Sequence, residues 1–132
     1  GRRKNDKKIN QINSKIITLS IKNNIKLLGI CYGAEILALT LGGTIRKSQS
    51  LQKGNEIIKI SKDNLISNDT LNAFESHGYE ISTLPGVLIP LAESKNCKYE
   101  IIQYEKKLIF GTQFHPEMSK DGHELIEKFC LL

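Results

Sequence analysis

Nothing in the 132 residues approaches the ~20 consecutive apolar side chains of a membrane span. No secretory leader pattern opens the chain. Cysteine is sparse: Cys31, Cys97 and Cys130 are odd in number and widely spaced. They form no Cys-x-x-Cys pair, which argues against a zinc ribbon or a disulfide framework and for a reduced, cytoplasmic setting. The three histidines, His77, His115 and His123, show neither His-x-His nor His-Glu-x-x-His spacing, so no metal site is expected. Repeats, linkers and low-complexity tracts are missing too. What remains, at 39% apolar and 25% charged residues, reads as one soluble globular domain.

Charge is unevenly spread. Residues 1–26 carry eight basic side chains (Arg2, Arg3, Lys4, Lys7, Lys8, Lys15, Lys22, Lys26) against Asp6 alone, while the rest of the chain is slightly acidic. No aromatic residue is interleaved there to stack on bases, so nucleic acid is not the expected partner. The head reads as a solvated helix face, with a surface for an anionic partner as the alternative.

Apolar residues at 9, 12, 16 and 19 predict an amphipathic helix over residues 5–24, ended by Asn23-Asn24. A buried strand follows over 25–30, then an apolar helix over 33–41 stopped by Gly42-Gly43. Strands are expected at 56–60, 80–83 and 87–92, with a short turn at 68–71. Residues 99–104 and 107–113 flank Glu105-Lys106 as a hairpin, and 121–131 close the chain as a helix. Strands alternating with helices, plus a hairpin, predict an α/β fold with antiparallel additions.

Two segments carry chemistry. Gly29-Ile30-Cys31-Tyr32-Gly33 sets a cysteine between glycines on a strand-to-helix turn. A lone cysteine is usually a small buried apolar residue. On such a turn its sulfur lies near a helix N-terminus, which favours the thiolate and predicts a lowered pKa. The tight turn resembles a nucleophile elbow, with the Tyr32 amide facing a developing oxyanion. The second segment, Gln113-Phe114-His115-Pro116-Glu117, supplies an imidazole as general base and a carboxylate to orient it. His123, Cys97 and Cys130 read as structural. Glu75-Ser76-His77-Gly78-Tyr79 reads as a polar loop whose glycine lets backbone groups approach a ligand.

At these residues the chain resembles a class I, triad-type glutamine amidotransferase domain, and is similar in particular to the glutaminase part of GMP synthase and its archaeal relatives. Leu41-Gly42-Gly43 and Ser76-His77-Gly78 match landmarks between the two motifs, and the likeness covers about residues 25–131. It implies a flavodoxin-like α/β fold, a parallel sheet with helices on both faces and a small antiparallel addition. It also implies a triad of Cys31, His115 and Glu117, in which Cys31 attacks the side-chain amide of glutamine. A γ-glutamyl thioester forms and ammonia passes to a synthetase partner of the ATP-pyrophosphatase type. No cofactor is implied. Tyr32 and Glu35 would line the glutamine pocket; Ser76, Gly78 and Tyr79 would meet its amino-acid end.

Three departures from the family pattern stand out. Glu35 replaces the usual glutamine, the front of the family domain is missing from residues 1–132, and Met118-Ser119-Lys120 replaces the His-Thr pair of GMP synthases. A cysteine hydrolase of other γ-glutamyl compounds, and a non-catalytic binding or regulatory protein keeping the fold, are the alternative readings.

Overall fold

A computed structural model describes the backbone of residues 4–132, and side chains from residue 7 onward. Arg2 and Arg3 of the basic head lie outside the described residues. Helix α1 (Lys4–Asn23) leads into strand β1 (Leu27–Ile30) and helix α2 (Tyr32–Thr40). Five strands follow: β2 (Thr44–Ile60), β3 (Leu71–Thr83), β4 (Leu88–Ser94), β5 (Cys97–Tyr104) and β6 (Ile109–Thr112). A single 3₁₀ turn (Pro116–Met118) precedes helix α3 (Lys120–Cys130).

The strands form one sheet in the order β1-β6-β5-β4-β2-β3. Only β1 and β6 run parallel, in the register Leu27↔Ile109 to Ile30↔Thr112. The other four joins are antiparallel. The α/β class therefore holds, with the antiparallel part larger in this chain than expected. The reason is in the connections. Parallel neighbours need a long crossover, and no helix lies between β2 and β6 to supply one.

Helices cover both faces. Neighbouring residues of the inner strands point to opposite sides: Ile101 and Phe110 pack with Leu125 of α3, whereas Ile102 and Ile109 pack with Leu37 of α2 and Ile17 of α1. The approach of α2 is close. A Cβ on Gly29 would lie 2.8 Å from the Gly33 carbonyl carbon, and one on Gly111 would lie 2.9 Å from Ala34 Cβ. Both positions need glycine for that reason.

Three expectations are corrected. The helix over 5–24 is present, but the stripe at 9, 12, 16 and 19 is its exposed face; Ile17 and Ile21 are what it turns toward α2. Ser14 and Thr40 join hydroxyls at 2.8 Å to fix that docking. Second, residues 75–79 are not a loop. They lie within β3, where Leu71, Ala73, Glu75 and His77 alternate inward. The two-residue period of a strand is there, but two of its inward positions are polar and hide it from a hydrophobicity pattern. Strand β2 likewise begins at Thr44, well before residue 56. Its ladder with β3 breaks between Lys47 and Gln52, so residues 48–51 bulge opposite Gly78.

Candidate active site

Cys31 is the one residue between β1 and α2, and its backbone sits at φ 53°, ψ −103°. Left-handed backbone is costly for a residue with a Cβ, and it persists where the surroundings enforce it. Here the enforcement is visible. Cys31 N–H donates to the Thr112 carbonyl at 2.6 Å, and the Cys31 carbonyl accepts from the Ala34 and Glu35 amides at 3.0 and 3.2 Å. The side chain is thereby pushed out at the carboxyl end of the parallel pair, the usual place for a site in an α/β sheet.

The thiol hydrogen goes to the Ser76 carbonyl of β3 at 3.8 Å, and Gln113 Nε2 lies 4.0 Å from the sulfur. The expected low pKa is overturned: it is pushed up to about 11. Burial is the largest cause, followed by the Glu35 carboxylate, with Glu75 and Glu117 adding to it. The Tyr32 amide works in the opposite direction by hydrogen bonding to the sulfur. Cys31 at rest is a thiol.

β6 ends at Thr112, opposite Ile30, so residues 113–117 leave the sheet at the same end as Cys31. His115 is pinned by its backbone: its N–H donates to the Phe74 carbonyl at 2.8 Å. Its Nδ1 meets Glu117 Oε2 at 2.9 Å. A carboxylate accepts only, so Nδ1 carries the hydrogen and Nε2 is left as the basic nitrogen. Pro116 opens the turn that carries Glu117. His123 Nε2 donates to the Glu117 carbonyl at 2.6 Å, which makes it a brace for that turn.

The other residues named from the sequence divide. Tyr32 and Glu35 are at the thiol. The Tyr32 hydroxyl donates to Asn10 Oδ1 of α1 at 2.8 Å, and Glu35 is buried, accepting from Gln113 Nε2 at 2.8 Å. Ser76 reaches the sulfur through its carbonyl. Gly78 and Tyr79 lie further along β3, with the Tyr79 carbonyl taken by His77 Nδ1 at 2.9 Å.

Behind Ser76 is a buried polar group that the sequence reading missed. His77 Nε2 meets Glu75 Oε2 at 3.0 Å. Burial alone would lower the pKa of His77, but the hydrogen bond and charge of Glu75 outweigh it and raise the value. Ser94 donates to Glu100 Oε2 at 2.6 Å. Burial, and then the charge of Glu75, push the pKa of the Glu100 carboxyl well above the usual carboxylate value. No hydrophobic alternation marks Glu75 and His77 in the sequence, since both inward positions are polar. Cys97 is buried with its thiol against the Tyr99 carbonyl, and Cys130 is exposed. Among the described residues no three His, Cys, Asp or Glu side chains converge to hold a metal.

The chain is thus an α/β protein in which a strained cysteine and a His-Glu pair leave the same end of the sheet. The particular family is given by comparison. The family model "Glutamine amidotransferase class-I" matches residues 4–132. The chain belongs to the class-I glutamine amidotransferase family.

Among curated proteins, GMP synthase [glutamine-hydrolyzing] of Yersinia enterocolitica is 30% identical over 120 residues, covering 81% of this chain and 23% of that protein. The GMP synthase of Sodalis glossinidius is 28% identical over the same length. This chain thus spans about a quarter of those relatives. Among solved structures, a candidate GMP synthase component from Thermoplasma acidophilum superposes with a TM-score of 0.80 at 25% identity, over 89% of this chain and 61% of that one. A glutamine amidotransferase of Thermotoga maritima gives 0.75 at 25% identity, over 91% and 53%. No described helix is long and apolar enough to cross a membrane.

Proposed function

We propose that residues 1–132 form a glutaminase domain that hydrolyses glutamine through Cys31, His115 and Glu117 and supplies ammonia to a synthetase partner of the ATP-pyrophosphatase type. The observation that carries this reading is the strained Cys31 and the His115–Glu117 pair leaving adjacent parallel strands at one end of the sheet. The similarity to GMP synthases supports guanine nucleotide synthesis as the destination, and a cytoplasmic setting is proposed from the sparse, unpaired cysteines.

With its pKa at about 11, Cys31 needs a base at the moment of attack. His115 Nε2 takes the thiol proton as sulfur bonds to the carboxamide carbon of glutamine. The Tyr32 amide receives the developing oxyanion. The C–N bond breaks, His115 returns the proton to nitrogen, and ammonia leaves a γ-glutamyl thioester. His115 then deprotonates a water that attacks the thioester; glutamate departs and the sulfur regains its proton. Glu117 holds the imidazole and stabilises its charged form. Glu35, Tyr32, Ser76, Gly78 and Tyr79 are proposed to bind the substrate.

Glutamate release, run with and without hydroxylamine, tests the route. Hydroxylamine should divert product to γ-glutamyl hydroxamate, and a Cys31→Ser variant should yield neither. Glutamate without hydroxamate under saturating trap would exclude the thioester. Glu35 favours one second reading, a hydrolase of other γ-glutamyl compounds, which the same assay with a γ-glutamyl peptide distinguishes.

A further inference from the structure

Gln113 follows β6 and is fully buried. Its backbone is fixed, with its N–H donating to the Glu100 carbonyl at 2.8 Å. Its side-chain nitrogen lies between two acceptors: Glu35 Oε2 at 2.8 Å and Cys31 Sγ at 4.0 Å, the outer limit for a bond to sulfur. Its side-chain oxygen, Oε1, is buried without a hydrogen-bond partner among the described residues. Buried amides normally satisfy both ends. This one gives up its acceptor to keep both hydrogens on Glu35 and the sulfur.

The carboxylate explains the choice. Glu35 accepts and cannot donate, so the amide nitrogen must face it and the oxygen must turn away. A glutamine at position 35, the residue the family pattern leads one to expect there, would accept either orientation of Gln113. The acid removes that freedom and leaves the second amide hydrogen directed at the thiol.

We propose that Gln113 is a catalytic residue whose amide N–H, aimed by the Glu35 carboxylate, donates to the Cys31 sulfur as the thiol ionises; Glu35 is its positioning residue. The inference rests on the reading of Cys31 as the nucleophile. Glu35 has two opposed effects on the sulfur. Its charge disfavours the thiolate, and the donor it aims favours it. The other charged groups facing Cys31 are Glu75 of β3 and Glu117 of the turn, the latter paired with His115.

The test is the pH profile of Cys31 alkylation by iodoacetamide, located by peptide mapping, in the full chain. Gln113→Met keeps volume and removes the donor. The alkylation midpoint should rise by roughly 0.5 to 1 pH unit, seen as a ~3- to 10-fold slower reaction at pH 8. An unchanged midpoint in folded Gln113→Met overturns the proposal. If that variant does not fold, the unmodified protein decides. The Gln113 side-chain ¹⁵N–H₂ signals should move with the Cys31 titration, and silent signals overturn the proposal. An electrophilic glutamine analogue separates the two levels. Labelling of Cys31 with an unmoved midpoint sinks the role of Gln113 and leaves the glutaminase reading. A moved midpoint without labelling sinks the catalytic role and leaves the contact with sulfur.

Discussion

Two imidazole–carboxylate pairs in this molecule have the same sequence separation and nearly the same bond, and do different things. His77–Glu75 and His115–Glu117 are each two residues apart, at 3.0 and 2.9 Å. The side chains of the first pair are 2% and 1% exposed; those of the second are 26% and 47% exposed. His77 spends both ring nitrogens, on Glu75 and on the Tyr79 carbonyl. A carbonyl and a carboxylate both accept, so these partners favour the doubly protonated ring and raise its pKa, and they leave His77 no nitrogen for exchange. His115 spends Nδ1 alone among the described residues and keeps Nε2 for exchange. Pairing chemistry is shared; burial and the second nitrogen are what separate the two pairs.

The sharpest break between the pairs is expected in activity. His115→Asn should lower glutamate release by ~10³-fold or more while leaving the thermal midpoint nearly unchanged, because it removes the proposed general base from a half-buried position. A comparable loss in His77→Asn with stability intact would reverse the assignment.

Stability should show the opposite order. Removing one member of a buried ion pair leaves the other uncompensated, so Glu75→Leu should cost about 3–5 kcal/mol in urea unfolding. Glu117→Gln should cost less than about 1 kcal/mol. Equal costs would mean that burial does not distinguish the pairs.

A smaller effect sharpens the buried side. The raised pKa of Glu100 means the folded state binds its proton more tightly than the unfolded chain, whose carboxyl titrates near 4.5. Stability from this group is therefore full below that value and lost as pH rises toward the folded pKa. Glu100→Gln mimics the protonated acid and should raise stability at pH 8, with no gain at pH 4. A gain at both pH values would assign the effect to packing.

The smallest expected effect is the linkage of His77. Its raised pKa contributes stability that is full below the unfolded value of 6.5 and fades as pH rises through the folded one. The urea midpoint should drift down above pH 6.5, and His77→Gln should flatten that drift.

What was legible in the sequence was local. Gly29 before Cys31 announces a tight strand-to-helix turn, because its absent side chain is what lets the Gly33 backbone of α2 approach the sheet. His115-Pro116-Glu117 places its own pair within one turn. What was not legible depended on partners far along the chain. Residues 71–79 form a strand whose inward Glu75 and His77 satisfy each other, so hydrophobicity gave no alternation to read. The inward face of α1 is chosen by α2, not by its own richest apolar stripe. The Cys31 pKa moved the wrong way because burial and Glu35 outweigh a helix terminus, and burial is a property of the assembled fold.

The central claim is that Cys31, held between β1 and α2, is the nucleophile toward glutamine. Intact-mass measurement after incubation with an electrophilic glutamine analogue, followed by mapping of the adduct, tests it most directly. One adduct per chain, on Cys31 and suppressed by excess glutamine, is the predicted result. A folded chain that gains no adduct, or gains it on Cys97 or Cys130, would contradict the account.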